Sequence, residues 1–239
     1  MPAVSLQVTL LSHTLDPEQT SAAAINQCYS AKSGAELKEQ LSLEKREKLL
    51  GIVLGGGHLS TIEHASFTFA VEGVSRALTH QLVRHRHASF SQQSQRYVKL
   101  KNGEFDYILP IILKGKPELA EKFDTKMKEI GEFYAEMIEA GVPAEDARAV
   151  LPNATETKIV ITMNARELLH FFELRLCTRA QHEIRKLAEE MLKLVTPLAP
   201  RIFAHAGPTC VTQKICWEGD MACGRWKTIE GAEVRSRNN

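Results

Sequence analysis

Thr157-Lys158-Ile159-Val160-Ile161-Thr162-Met163-Asn164-Ala165-Arg166-Glu167-Leu168-Leu169-His170 turns from a β-branched run into a capped helix, and that turn decides the fold class. Thr157 to Met163 predicts a strand, because branched side chains pack well on a pleated, half-buried surface. Asn164 then caps a helix over Ala165 to Leu176 that carries Arg166, His170 and Arg175. The same order occurs upstream. Ala65 to Val71 predicts a strand with Phe67, Phe69 and Val71 on one face, and Ser75 caps a helix carrying Arg76, His80, Gln81, Arg84 and His85.

Working outward, Ser5 to His13 predicts a first strand, and Asp16-Pro17 opens a helix towards Tyr29, Asp as cap and Pro at the first helical position. Glu36 to Leu54 predicts one helix with Leu37, Leu41, Leu49, Leu50 and Val53 inward, stopped by Gly55-Gly56-Gly57. The triple glycine is no phosphate loop, since no strand precedes it and no Gly-Lys-Ser/Thr follows. Lys116 to Glu139 predicts a long amphipathic outer helix, Ala144 to Val150 a short one bearing Arg148, Arg179 to Val195 a further helical run, and Leu198 to His205 a proline-bracketed helix. Strands separated by helices of unequal length predict an α+β fold: a mixed or antiparallel sheet packed with helices in a single large domain, residues 1–205. Residues 206–239 read as an irregular, cysteine-containing tail.

The chain has 239 residues, 44% of them hydrophobic, enough to bury a substantial core. Its 30 Lys plus Arg nearly balance 29 Asp plus Glu, a net charge of +1 that argues against a protein coating nucleic acid. No run is apolar enough to span a membrane, and Met1-Pro2-Ala3-Val4-Ser5 lacks the regions of a signal peptide, so a cytoplasmic protein with small-molecule partners is expected. Cys28, Cys177, Cys210, Cys216 and Cys223 contain no Cys-x-x-Cys pair, and reduced thiols are expected. The spacing of His205, Cys210, Cys216 and Cys223 matches no standard zinc knuckle.

Against this balance, Gly73 to Gly103 holds no acid at all but carries Arg76, Arg84, Arg86, Arg96, Lys99 and Lys101 with His80, His85 and His87. Ser89, Ser91, Gln92, Gln93, Ser94 and Gln95 add orientable hydrogen bonds beside those cations. Guanidinium forks with amide and hydroxyl donors suit a phosphate and a polar heterocycle. On a helix Arg84 and Arg86 point in nearly opposite directions, so one motif can serve two ligands. The three histidines lack the four-residue spacing that closes on one metal, and no nearby carboxylate completes a site, so no metal is expected. Ser94 has no evident Asp-His relay and Glu63-His64 diverge, which leaves no nucleophile or acid-base pair and assigns the hard chemistry to a cofactor.

Arg84-His85-Arg86 followed by Ser89, Ser94, Arg96 and Tyr97 resembles the signature of flavin-dependent thymidylate synthases. The resemblance continues through Ser60-Thr61-Ile62-Glu63-His64, Phe67-Thr68-Phe69, Arg148-x-x-Leu-Pro, Asn164-Ala165-Arg166, Leu174-Arg175 and Ala180-Gln181, covering roughly residues 50–205. It implies a homotetramer whose active sites draw on several subunits, binding FAD and acting on dUMP with methylenetetrahydrofolate and NADPH to make dTMP. It implies FAD contacts from Ser60, Arg84, His85, Arg86, Gln92, Asn164, Arg166 and His170. It further implies that Gln81, Arg84, Gln92, Gln93, Ser94, Gln95, Arg96, Arg148 and Arg175 hold dUMP. Gln92 stands where many members carry Glu, and Ser91 where Asn is common. Arg175 is the expected catalytic group, its guanidinium stabilising charge that gathers on O4 and N3 of the uracil as C5 becomes nucleophilic. Two other readings stay open: methylation of a different uracil-containing acceptor, and a non-catalytic nucleotide or RNA module stacking bases on Phe90 and Tyr97.

Overall fold

A computed structural model describes residues 3–236, so the expectation drawn from Met1 and Pro2 lies outside the described residues. Along the chain run strand β1 (Gln7–His13), helices α1 (Pro17–Gln27), α2 (Gly34–Gln40) and α3 (Leu43–Gly55), strand β2 (Ser66–Ser75), helix α4 (Arg76–Leu82) and strand β3 (Ala88–Gln92). There follow α5 (Pro117–Glu139), α6 (Ala144–Ala147), strand β4 (Glu156–Asn164), α7 (Ala165–Arg175), α8 (His182–Val195), α9 (Pro200–Phe203) and α10 (Thr209–Thr212). Strands β5 (Ile215–Cys216) and β6 (Glu233–Val234) pair in parallel near the C-terminus. The fold is α+β, with an antiparallel sheet in the order β1–β2–β4–β3. Its register is set by Thr68 opposite Thr162, their hydroxyls 3.0 Å apart, and by Glu156 accepting from the Gly73 N–H at 3.0 Å. The two residue numbers rise on one strand as they fall on the other. Among the described residues no helix is long and apolar enough to cross a membrane.

The chain divides into two compact units. The first comprises the described residues up to Thr9, Ala70–Arg84 and Phe90–Ile161; the second comprises Leu10–Phe69, His85–Ser89 and the described residues from Thr162 on. In the first unit Phe105, Tyr107 and Met127 form a core with Phe123, Ile130 and Leu151 against them. Gly103, at φ +71°, packs so closely that a Cβ there would stand 2.0 Å from the Gly131 carbonyl oxygen. In the second unit Phe67, Phe172 and Phe203 meet edge to face and α8 buries Ile184, Leu187, Ala188, Met191 and Val195 at helical spacing. Each such buried side chain contributes about 1.5–3 kcal/mol relative to exposure, so these contacts fix α7, α8 and α9.

Four expectations are corrected, and one strand is added. Asp16 lies at φ 47° and its side chain makes no cap hydrogen bond. The helix expected over Glu36 to Leu54 is two, because Leu41 is extended and Ser42 caps α3 by accepting from the Lys45 N–H, as Ser33 caps α2 with Glu36. Helix α4 ends at Leu82, where Val83 N–H bonds the Thr79 carbonyl, so Arg84, His85 and Arg86 lie beyond it and the helical argument for their opposed directions fails. The run Ala88–Gln92, for which no element was expected, forms a strand whose alternate residues are half-buried and exposed. The run from Arg179 becomes helical only at His182, where Gln181 accepts from the Glu183 and Ile184 N–H groups. The Gly55–Gly57 stop, the Ser75 cap and the Asn164 cap stand where expected.

Candidate active site

Asn164 caps α7 by accepting from the Glu167 N–H at 2.9 Å, while the Ala165 N–H bonds the Ala65 carbonyl at 2.7 Å. This double anchorage sets the first turn of α7. Arg166 and His170, four residues apart and therefore on one face, line a cavity of about 1050 Å³ within the second unit. Asn164, His87, Glu63, Arg201 and His205 share its wall. Arg166 donates to Glu63 at 2.6 Å and Arg201 to Glu47 at 2.7 Å, so both guanidinium groups are held in place at the rim. Gly51 and Gly55 also line it, and a Cβ at either would meet nothing within 4 Å, leaving open space along α3. The volume is at the upper end of the ~300–1,000 Å³ typical of small-ligand sites, and its wall offers guanidinium groups, imidazoles and amides together with the carboxylates of Glu47, Glu63, Glu167 and Glu173.

His85 is buried between two partners. Its Nδ1 lies 3.0 Å from Glu167 Oε1, and Arg175 Nε donates to its Nε2 at 3.0 Å. An arginine Nε–H can only donate, so Nε2 must accept and the ring proton sits on Nδ1. Burial, the largest influence, pushes the His85 pKa below its ordinary value against the raising effect of the Glu167 hydrogen bond, which agrees with a neutral ring. The rings of His170 and Phe171 meet His85 edge-on at 5.6 and 5.0 Å. Burial likewise lowers the pKa of Arg175.

The first unit carries a separate basic cluster. Arg96 donates through Nε and Nη2 to Glu145 Oε2 at 2.9 and 2.8 Å, and Arg148 Nε donates to the Glu145 backbone carbonyl at 3.0 Å. Burial and then the like charge of Arg148 lower the pKa of Arg76. Arg96 and Arg148 thus meet at Glu145, one on its carboxylate and one on its backbone, and Arg76 stands near enough to Arg148 to feel its charge, a grouping of guanidinium groups suited to an anion. Ser94 Oγ accepts from the Arg96 N–H at 3.2 Å and positions that turn. Gln92 Nε2 donates to the hydroxyls of Thr79 and Thr157, each at 3.2 Å, so its amide nitrogen is engaged within the protein.

Of the residues singled out in the sequence, Gln81, Arg84, Gln92, Gln93, Ser94, Gln95, Arg96 and Arg148 belong to the first unit. Ser60, His85, Arg86, Asn164, Arg166, His170 and Arg175 belong to the second. Asn164, Arg166 and His170 line the cavity; His85 is buried, Arg86 is exposed, and Ser60 is exposed between the lining residues Leu59 and Glu63. Sequence reasoning missed Glu167, the partner of His85, and Arg201 in the cavity wall, and it named His87 and His205 without placing them at this site. The spacing Asn164-x-x-Glu167, which resembles a capping box, was the available signal for Glu167.

Comparison with known proteins accords with this geometry. The family model described as thymidylate synthase complementing protein, Thy1, matches residues 9–201. The chain is 51% identical over 220 residues to the flavin-dependent thymidylate synthase of Geobacter sulfurreducens, covering 92% of this chain and 94% of that protein. It is 47% identical over 238 residues to the protein of the same name from Clostridium tetani, covering 93% and 94%, and 46% identical over 222 residues to that of Pyrococcus furiosus, covering 90% and 91%. With its family blocks matched across most of the chain, this protein belongs to the Thy1 family of flavin-dependent thymidylate synthases.

Proposed function

We propose that this protein methylates dUMP to dTMP, using methylenetetrahydrofolate as the one-carbon donor, with FAD as cofactor and NADPH as reductant. The observation that carries this reading is that Asn164, Arg166 and His170, which the family resemblance assigns to FAD, line one roomy cavity. When bound and reduced by NADPH, FAD would supply the hydride that completes the methyl group. The cavity fits such a group: Arg166 and Arg201 have guanidinium N–H donors beyond those that bond Glu63 and Glu47, and Gly51 and Gly55 leave space for a flat body. Ser60, His85 and Arg86 extend the same set. Arg76, Arg96 and Arg148 form the counterpart for the nucleotide phosphate, with Gln81, Gln93, Ser94 and Gln95 supplying hydrogen bonds.

Arg175 activates the pyrimidine in this reading. A guanidinium facing O4 and N3 stabilises the negative charge that must gather there before C5 can attack, and partial burial strengthens that interaction. Ser94, engaged in its own turn, positions substrate rather than attacking it. Arg86 serves the cofactor, and Arg84 serves both the cofactor and the nucleotide; both side chains are exposed. The protein works in the cytoplasm as a homotetramer on small molecules, with residues 1–205 as the catalytic domain.

The test is the absorption spectrum of the purified protein, followed by turnover. A yellow protein bleached by NADPH that converts free dUMP in the presence of the folate bears out the proposal. Protein that takes up no flavin refutes it, and a flavoprotein inert towards free dUMP points to another uracil-containing acceptor.

A further inference from the structure

Glu167 has no place in the chemistry described so far, yet it is nearly fully buried and aims its carboxylate at His85. It sits in the first turn of α7, its backbone N–H held by Asn164 and its side chain buried against His85. Arg175 ends the same helix, ~12 Å further along its axis by the rise per residue. His85 bridges the two, Nδ1 to Glu167 and Nε2 to Arg175.

Only one tautomer satisfies both contacts. With the proton on Nε2, two N–H groups would oppose each other across 3.0 Å at Arg175, and the Nδ1 lone pair would face the Glu167 carboxylate. With the proton on Nδ1, both contacts become hydrogen bonds. A carboxylate accepts and does not donate, so Glu167 selects this tautomer and leaves Nε2 as a fixed acceptor for Arg175. We infer that Glu167 is a positioning residue that, through His85, fixes the orientation of the Arg175 guanidinium for the reaction. This rests on the assignment of pyrimidine activation to Arg175.

The experiment uses full-length holoprotein, wild type, Glu167→Leu and Glu167→Gln. The ring tautomer of His85 is read by ¹⁵N NMR of histidine-labelled protein, the resonance assigned by its loss in His85→Gln. Turnover of dUMP and NADPH-driven flavin reduction are measured alongside. Wild type should show a protonated Nδ1 and a bare Nε2. Glu167→Leu should lose that preference and ~10–100-fold in kcat for dTMP formation, the scale of one lost charge-assisted contact, with flavin reduction and the KM for dUMP within about twofold. Glu167→Gln should recover most of the loss, because Arg175 can only donate and the new amide must turn its oxygen to Nδ1. A wild-type ring protonated on Nε2, unchanged kcat in Glu167→Leu, or a Glu167→Gln variant as impaired as Glu167→Leu would each overturn the inference. Should Glu167→Leu fail to fold, the wild-type tautomer and Glu167→Gln still decide it. Wild-type protein that makes no dTMP would instead refute the proposed function, and the tautomer measurement reads out independently of that result.

Discussion

Replacing Glu18 by Ala should loosen the cavity wall from a position far away in sequence. Helix α9 is four residues long and begins at Pro200, with Ala199 before it providing no side-chain cap. So short a helix cannot hold itself. Its first available donors, the N–H groups of Arg201 and Ile202, both bond Glu18 Oε1, at 2.6 and 3.2 Å. Glu18 is itself buried, and its charge stands at the positive end of the helix. Truncation leaves two N–H groups without an acceptor, each costing ~1–3 kcal/mol when buried, so a loss of about 3 kcal/mol is expected. For a chain of this size ~2–4 °C accompanies each kcal/mol, which puts the drop in Tm at roughly 6–12 °C. Thermal unfolding followed by circular dichroism at fixed protein and flavin concentration measures it, since bound ligand raises apparent stability. Glu18→Gln keeps the acceptor oxygen and should recover at least half. Because Arg201 and Ile202 line the cavity, flavin content should fall with stability in Glu18→Ala. A Glu18→Ala protein melting within ~2 °C of wild type would show that the buried cap contributes little and refute the reasoning.

Gly73→Ala should be strongly destabilising, by more than ~1 kcal/mol in urea unfolding, because its Cβ would lie 2.1 Å from the Ser5 carbonyl oxygen at φ +66°; Gly51→Ala, in open space within α3, should instead be neutral or slightly stabilising. Cys223 should be the fastest thiol alkylated by iodoacetamide, since the Thr178 hydroxyl and backbone N–H groups lower its pKa, whereas burial raises those of Cys177 and Cys210; mass spectrometry of partially labelled protein checks the order. Burial holds the His85 pKa below 6.5, so the folded chain takes up that proton less readily than the unfolded one. Its contribution to stability is therefore complete above that value and lost as pH falls below it through the folded pKa. Urea unfolding between about pH 7.5 and about pH 5.5 should show a shallower decline in His85→Gln than in wild type, and an equal slope would contradict this.

Strands and caps were legible in the sequence wherever one local pattern decided the outcome. Phe67, Phe69 and Val71 alternate on β2, and Ser75 and Asn164 occupy positions where a side-chain oxygen meets an N–H three residues on. Legibility failed where local choices were nearly balanced. Leu41-Ser42 could continue a helix or break it, and Ser42 used as a cap for α3 settled the matter. The run Ala88–Gln92 is polar enough to pass for loop, and it is pairing with the neighbouring strand, continued by Gln93 N–H to the Lys158 carbonyl at 2.9 Å, that makes it β3.

The family motif named the cationic and amide residues, because a ligand demands residue types that a single sequence displays. It could not name their partners. Glu167 meets His85 across 82 positions, Glu63 meets Arg166 across 103, and Glu18 meets Arg201 across 183. No local period encodes such pairs. They exist because packing of elements distant in sequence brings the partners together; for His85 and for the Ile202 N–H it also supplies a partner to a buried polar group that would otherwise go unsatisfied, and that condition arises only once the chain has folded.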